Sequence, residues 1–97
     1  MLFEWDDQKA GANLTKHGVS FDEGETVFAD PLAGIGQDPD HSDEEDREII
    51  TGYSDQHRLL LVSFTQRGES IRIVSAREAT RSERKLYEEK KSGREGR

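Results

Sequence analysis

Apolar residues along this chain come in short clusters, and their spacing divides it into eight elements. Leu2 to Trp5 is apolar and aromatic and predicts a short strand. Asp6 then caps a helix running to about Lys16, whose apolar side is slender: Ala10, Leu14 and the stem of Lys9. Gly18 sits where a left-handed C-terminal residue is wanted, and Lys16 and His17 occupy the last turn, where cations suit the helix dipole. Ser20-Phe21-Asp22-Glu23 is a capping box that opens a second helix to about Ala29, with Phe21, Val27 and Phe28 as its buried stripe. Gly24 inside it costs about 1 kcal/mol against alanine unless another backbone packs closely there. Asp30-Pro31 stops the helix.

Leu32 to Gly36 is a weak strand with two glycines, which suits an edge or a bulge. Asp38 to Asp46 reads as a solvated acidic loop. Arg47 to Tyr53 is a strand and Ser54 to His57 its turn. Arg58 to Thr65 is the strongest strand: Leu59, Leu60, Leu61, Val62 and Phe64 are nearly continuous, which predicts a central position covered on both faces. Gln66-Arg67-Gly68-Glu69 is a tight hairpin turn. In the next strand Ile71, Ile73 and Ser75 alternate with Arg72, Val74 and Ala76. Thr80-Arg81-Ser82-Glu83 is a second capping box and opens the last helix, with residues 92–97 expected to fray. The pattern is β-α-α-β-β-β-β-α. It predicts one α+β domain over 1–97: a small antiparallel sheet with two N-terminal helices and one C-terminal helix packed on it.

Charge sharpens this picture. Residues 1–65 hold four of the fourteen Lys and Arg and fifteen of the twenty-one Asp and Glu, a net −11; residues 66–97 carry +4. A net charge of −7 argues against a generic nucleic-acid binder, yet the C-terminal third is basic. At 31% apolar residues the core is thin, which favours reliance on a partner. The chain has no cysteine, so disulfides and thiolate metal sites are excluded. No apolar run approaches the roughly 20 residues of a membrane span, and no signal-peptide pattern opens the chain, so a cytoplasmic location is expected.

The candidate chemistry sits where the last strand feeds the last helix. Arg72, Arg77, Arg81 and Arg84 are strung across this corner, with Tyr87 one turn further. Arginine grips phosphate with a planar fork, and a helix N-terminus offers N–H groups to an anion. Metal-free RNA cleavage needs a base for the attacking 2′-hydroxyl, cations for the growing phosphorane charge and an acid for the leaving 5′-oxygen. The arginines are candidate cations; His17, Glu78, Glu83 and Tyr87 are candidate proton carriers. Trp5, Tyr53 and Tyr87 are the aromatics available to stack on bases. Each has a plainer alternative. Arg81 and Arg84 suit a solvated, salt-bridged helix face, His17 a C-terminal cap, Tyr87 a core anchor and Trp5 the core. On a regular strand Arg72 and Arg77 point to opposite faces, so a shared ligand requires a twist or bulge between them. Asp38, Asp40, His41, Asp43, Glu44 and Glu45 are an oxygen-rich set for Mg²⁺ or Ca²⁺, but without EF-hand glycine or spacing a plain acidic loop is the better reading.

An ordered set of fragments resembles the BrnT family of toxins from bacterial type II toxin–antitoxin systems: Phe3-Glu4-Trp5-Asp6 with Lys9, Asn13-Leu14, Lys16-His17-Gly18-Val19-Ser20-Phe21, and Val27 to Pro31. Asp38 to His41, Arg58-Leu59-Leu60, Thr65 to Gly68 and Ile71 to Arg77 continue the set, closing with Ala79-Thr80, Glu83 and Tyr87. The resemblance spans Phe3 to about Glu89. It implies a RelE-like fold and metal-free RNA cleavage that halts translation, with no cofactor. It also implies a BrnA-type antitoxin partner with a ribbon-helix-helix DNA-binding part, DNA being reached through that complex. On this likeness Arg77 is the first site residue, for phosphate or transition-state stabilisation. Arg72 and Arg81 follow as RNA-binding cations, with Arg84 and Arg47 weaker candidates. Lys16, a phosphate contact, and His17, a proton carrier, fall in the family's K-H-G piece, within reach of the sheet. Gly24 stands where the family has a small helix former, and Glu45-Asp46-Arg47 shortens one carboxylate of an E-E-R piece.

Two other functions compete with the ribonuclease toxin. One is a catalytically weak or inactive antitoxin-binding module acting in operon autoregulation, for which the acidic body favours a basic partner. The other is a metal-dependent nuclease using the acidic loop.

Overall fold

A computed structural model of the chain describes residues 1–38 and 46–95. Its elements are β1 (Leu2–Glu4), α1 (Asp7–His17), α2 (Phe21–Thr26), β2 (Gly34–Gln37), β3 (Arg47–Tyr53), β4 (Leu59–Arg67), β5 (Ser70–Glu78) and α3 (Arg81–Glu95). The second helix ends earlier than its apolar stripe suggests, because the chain tightens at Val27–Ala29 into a 3₁₀ turn. Asp30 stops that turn: its Oδ1 accepts the N–H of Leu32 and its Oδ2 the N–H of Tyr53 at 2.8 Å. The C-terminal helix runs to Glu95.

The five strands form one sheet in the order β1-β5-β4-β3-β2. β2 to β5 are an antiparallel meander, but β1 lies parallel on β5, with Phe3 opposite Ile71. The sheet is therefore mixed rather than antiparallel. The chain leaves β1 through two helices and returns at the far edge, so β1 is left running alongside the last strand.

The helix caps behave as their residues dictate. Asp6 accepts the N–H groups of Gln8 and Lys9, and these bonds, that of Lys9 first, hold its carboxyl below the usual range. Gly18 adopts φ 70° and closes α1. Thr80 and Glu83 form the full reciprocal box, Glu83 N–H to Thr80 Oγ1 at 3.2 Å and Thr80 N–H to Glu83 Oε1 at 2.9 Å. The Ser20 box is half made: Ser20 Oγ accepts from Glu23 N–H, while the Glu23 carboxylate goes elsewhere.

The core lies between one face of the sheet and the α1–α2 layer. Leu60, Val62 and Phe64 of β4, with Ile50, Ile71, Ile73 and Ala76, pack against Val19, Phe21 and Val27. Each large side chain buried here contributes about 1.5–3 kcal/mol. Edge-on aromatic contacts extend the layer, from Phe3 to Phe28 and from Phe28 to Phe64, each at 5.1 Å between ring centroids. Trp5 sits at its margin, edge-on to Phe21. α2 packs closely on the sheet at Gly24, where a Cβ would meet the Ala76 Cβ at 3.4 Å, an ordinary contact that does not itself demand glycine. Leu14, expected on the apolar side of α1, is instead half exposed, and the buried residue of that helix is Asn13. β4 is central as predicted, but Leu61 and Ser63 on its other face are only half-buried.

Candidate functional site

A single unpaired residue positions the arginines. Along β4 and β5 the pairs run Leu61 with Arg77, Val62 with Ala76 and Ser63 with Ser75; then Phe64 faces Ile73 and Thr65 faces Arg72. Val74 has no partner on β4, so β5 carries a one-residue bulge. Leu61 and Thr65 lie four apart on one strand and share a face, so Arg77 and Arg72 share it too. Arg47 joins them, since it pairs with Thr65 across β3. The bulge resolves the conflict of phase between Arg72 and Arg77 and turns both to the face opposite the α1–α2 core.

The row across this open face reads Arg47, Thr65, Arg72, Glu4, one residue from each of four strands. Arg72 Nη1 lies 3.2 Å from Glu4 Oε1, an ion pair open to solvent. Between the two arginines the Thr65 hydroxyl is buried and has no hydrogen-bond partner among the described residues. Buried polar atoms are ordinarily satisfied, so a lone hydroxyl flanked by two cations is an arrangement that suits an anionic ligand.

Arg77 is engaged differently. Its two terminal nitrogens grip Glu83 at 2.7 and 2.9 Å, a bidentate pair linking the end of β5 to the first turn of α3. Arg77's hydrogen bonds, reinforced by the Thr80 N–H and opposed by burial, lower the Glu83 carboxyl to about 2. The same pair raises Arg77 above the ordinary guanidinium value. A carboxylate so stabilised is a poor proton acceptor at neutral pH, which removes Glu83 as a general base.

The remaining candidates scatter. Arg81 is exposed on the first turn of α3, and Arg84 reaches the Tyr53 hydroxyl at 3.4 Å. Tyr87 is buried, edge-on to Tyr53, and its hydroxyl donates to Asp30 Oδ2 and the Leu32 carbonyl, each at 3.3 Å. These contacts anchor α3 to the sheet and the Asp30 corner. Lys16 is exposed and His17 half-buried at the end of α1, on the side of the core helices. Among the described residues no hydrogen bond or ion pair joins either to the arginines. They do stand at the same end of β5: Arg58 binds the Gly18 carbonyl at 3.1 Å and approaches Glu78 at 3.8 Å. No cluster of His, Asp and Glu able to hold a metal occurs among the described residues. Asp40, His41, Asp43, Glu44 and Glu45 lie outside them.

Two supporting clusters escaped the sequence reading. Asn13 donates to the Ala76 carbonyl at 2.8 Å and accepts the Ala76 N–H at 3.1 Å, the two bonds a neighbouring strand would make. Its amide also reaches the Val19 carbonyl. Asn13 therefore clasps β5 two residues beyond Val74 and holds the bulged register. Glu23, buried, receives Arg58 and the Ser54 hydroxyl, and the Arg58 hydrogen bond holds its carboxyl below the usual value against the cost of burial. This cluster ties α2, the end of α1 and the β3–β4 turn to the end of β5 that presents Arg77. The sequence signal for Asn13 was a polar residue three positions after Ala10, on the helix face that should be apolar.

Comparison with known proteins agrees with this architecture. The crystal structure of the Brucella abortus ribonuclease toxin, BrnT, matches with a TM-score of 0.66 over 84% of this chain and 100% of that one; at 24% identity the likeness is one of fold. A search of curated proteins finds no match. The family model described as the ribonuclease toxin BrnT of type II toxin–antitoxin systems matches residues 5–83, from Trp5 through the capping box that carries Glu83. The chain belongs to the BrnT family of ribonuclease toxins.

Proposed function

We propose that this protein is an endoribonuclease that cleaves RNA by attack of a 2′-hydroxyl on the adjacent phosphorus, halting translation, and that a BrnA-type ribbon-helix-helix antitoxin neutralises it. The observation that carries this reading is the β5 bulge, which turns Arg72 and Arg77 to the same sheet face as Arg47, with Arg47 and Arg72 flanking the Thr65 hydroxyl and Arg77 four residues along β4 from it. Arg72 and Arg47 hold the RNA backbone. Arg77, at the corner with α3, meets the charge that grows on the phosphorane, exchanging Glu83 for phosphate oxygen. The arginines carry that charge, so the reaction proceeds without a metal. Arg81 and Arg84 extend the cationic surface along α3. His17, with Lys16 beside it, is the proton carrier, and reaches the substrate rather than the arginines. The RelE-like comparison rests on this arrangement of basic side chains on a small sheet. DNA is met through the antitoxin complex.

The test is induction of this protein alone in a bacterial host, with total RNA run on a gel, beside Arg72→Ala and Arg77→Ala at equal soluble protein. Growth arrest with RNA breakdown that persists in chelator with the purified protein, and that both substitutions relieve, is the expected outcome. Intact RNA and normal growth from folded wild-type protein would remove the nuclease reading. The bidentate Arg77–Glu83 pair favours one second reading, an inactive antitoxin-binding module acting in operon autoregulation, because the foremost candidate cation is already neutralised. That reading predicts antitoxin binding with no RNA breakdown.

A further inference from the structure

Thr65 is out of character for its strand. β4 also carries Leu59, Leu60, Leu61, Val62 and Phe64, and a valine at position 65 would have the same shape and suit a strand as well. Thr65 is 6% exposed, and its hydroxyl has no hydrogen-bond partner among the described residues. A buried hydroxyl left unpaired costs stability, so folding alone does not account for it. The neighbouring strands suggest what does. Arg47 and Arg72 stand directly opposite Thr65, one on each side, where side chains on one face begin about 5 Å apart. One hydroxyl and two planar forks are a donor set suited to a phosphate group. Arg72 is paired with Glu4, but both side chains are open to solvent, at 30% and 43%, and such a pair exchanges at little cost. Glu4 repels an anion beyond Arg72, which confines the ligand to the Thr65 side of that arginine.

The register gives this point a distance from Arg77. Thr65 and Leu61, which pair with Arg72 and Arg77, lie four residues apart on β4, about 13 Å. An extended single strand advances roughly 6–7 Å per nucleotide, so phosphates two steps apart match this separation. We infer that Thr65, with Arg47 and Arg72, forms a phosphate subsite for single-stranded RNA, two nucleotide steps from the bond cut at Arg77. The place of the cut rests on the nuclease reading; the subsite rests on Thr65 and its flanking arginines. The hydroxyl is unsatisfied in the free protein and satisfied by the bound strand, so the same group that weakens the empty sheet strengthens the complex.

The test compares Thr65→Val, which removes the hydroxyl and keeps the shape, with Thr65→Ser, which keeps the hydroxyl. The probe is a hexathymidylate deoxyoligonucleotide, which lacks the 2′-hydroxyl and is not cut. Thr65→Val is expected to bind it about 10-fold more weakly than the wild type, and Thr65→Ser within about 2-fold of it. Without ligand, Thr65→Val is expected to melt at or above the wild-type temperature, because the unpaired hydroxyl is gone. The slope of log affinity against log salt should hold in Thr65→Val and shrink by about 1 in Arg72→Ala, which alone removes a charge. Equal affinity of Thr65→Val and wild type overturns the inference. So does a loss that Thr65→Ser shares, or one that accompanies a lower melting temperature, since either makes Thr65 a packing residue. Inorganic phosphate bound as tightly as the oligonucleotide makes the ligand a free anion and overturns the assignment to a strand. Cleavage separates the two levels. The ratio of kcat/KM on oligouridylate to that on the dinucleotide uridylyl-uridine, whose single phosphate fills only the Arg77 end, is expected to shrink about 10-fold in Thr65→Val. An unchanged ratio removes the two-step spacing. RNA cleavage by the wild type, with equal hexathymidylate affinity in Thr65→Val, leaves the nuclease and removes the subsite. Binding that depends on the Thr65 hydroxyl, in a wild type that cuts nothing, leaves the subsite and removes the nuclease and with it the spacing.

Discussion

Replacing Glu83 by glutamine separates the charge of the Arg77 clamp from its shape. Glutamine keeps an oxygen to accept the Thr80 N–H, and the Thr80 hydroxyl still accepts the backbone N–H of residue 83, so the cap survives. What disappears is the carboxylate that Arg77 grips. A carboxyl held at about 2 in place of its ordinary 4.5 corresponds to roughly 3 kcal/mol of preference for the charged, paired form. The Arg77 and Glu83 side chains are 39% and 33% exposed, so solvent screening reduces this to about 1–2 kcal/mol of stability. The pH dependence has a definite sign. Because the folded-state value is depressed, the contribution is fully present above about 4.5 and is lost as pH falls toward about 2. Urea titrations followed by fluorescence of Trp5, the single tryptophan, measure it directly. Glu83→Gln is expected to be about 1–2 kcal/mol less stable than the wild type at pH 7, and the gap should narrow between pH 4.5 and 2. Glu83→Gln in an Arg77→Gln background should cost little. A wild-type stability matched by Glu83→Gln at pH 7, or a gap that ignores pH, would refute the clamp.

The other predictions concern the frame that presents the arginines. Asn13→Leu, apolar and a good helix former, should still destabilise by about 2–4 kcal/mol, because the Ala76 N–H and carbonyl and the Val19 carbonyl lose their partner; thermal or urea unfolding reads this, and wild-type stability would show that the clasp contributes nothing. Gly52→Ala should cost about 1–3 kcal/mol, since its Cβ would come within 2.9 Å of both the Ala33 Cβ and the Asp30 carboxylate; an unchanged melting midpoint would mean that this corner yields freely.

Much of the frame was legible because local chemistry and global packing agree. The two capping boxes, Gly18, Asp30-Pro31 and the Leu59–Phe64 run each signalled one element, and each element is present. The parallel seat of β1 was not legible, since three residues reveal a strand but not its neighbour. The bulge left a trace that strict alternation concealed: Ile71 and Ile73 are buried in one phase, and Ala76 in the other. Reading the small alanine as a core position would have called for an extra residue between them. The fate of Arg77 was hidden for a different reason. Glu83 already had a sufficient local explanation as the third helical residue of a capping box, and its second partner lies on another element. Asn13 looked like an ordinary polar helix residue until a strand 63 positions away supplied its partners.

The Val74 bulge also determines how this chain tolerates changes of length. Removing one residue between Ile73 and Ala76 would let β5 and β4 pair without interruption, and by backbone criteria alone the sheet would improve. The pairs from Ser70 to Ile73 would keep their places, and Ser75, Ala76 and Arg77 would keep their partners Ser63, Val62 and Leu61 and therefore their faces. What a deletion at Val74 removes is the extra local twist of the bulge. One residue added to β5 has no such slack: unless a second bulge absorbs it, everything beyond changes face, Arg77 toward the core layer and Ala76 toward solvent. β5 can thus lose one residue and keep the direction of its arginines, but cannot gain one.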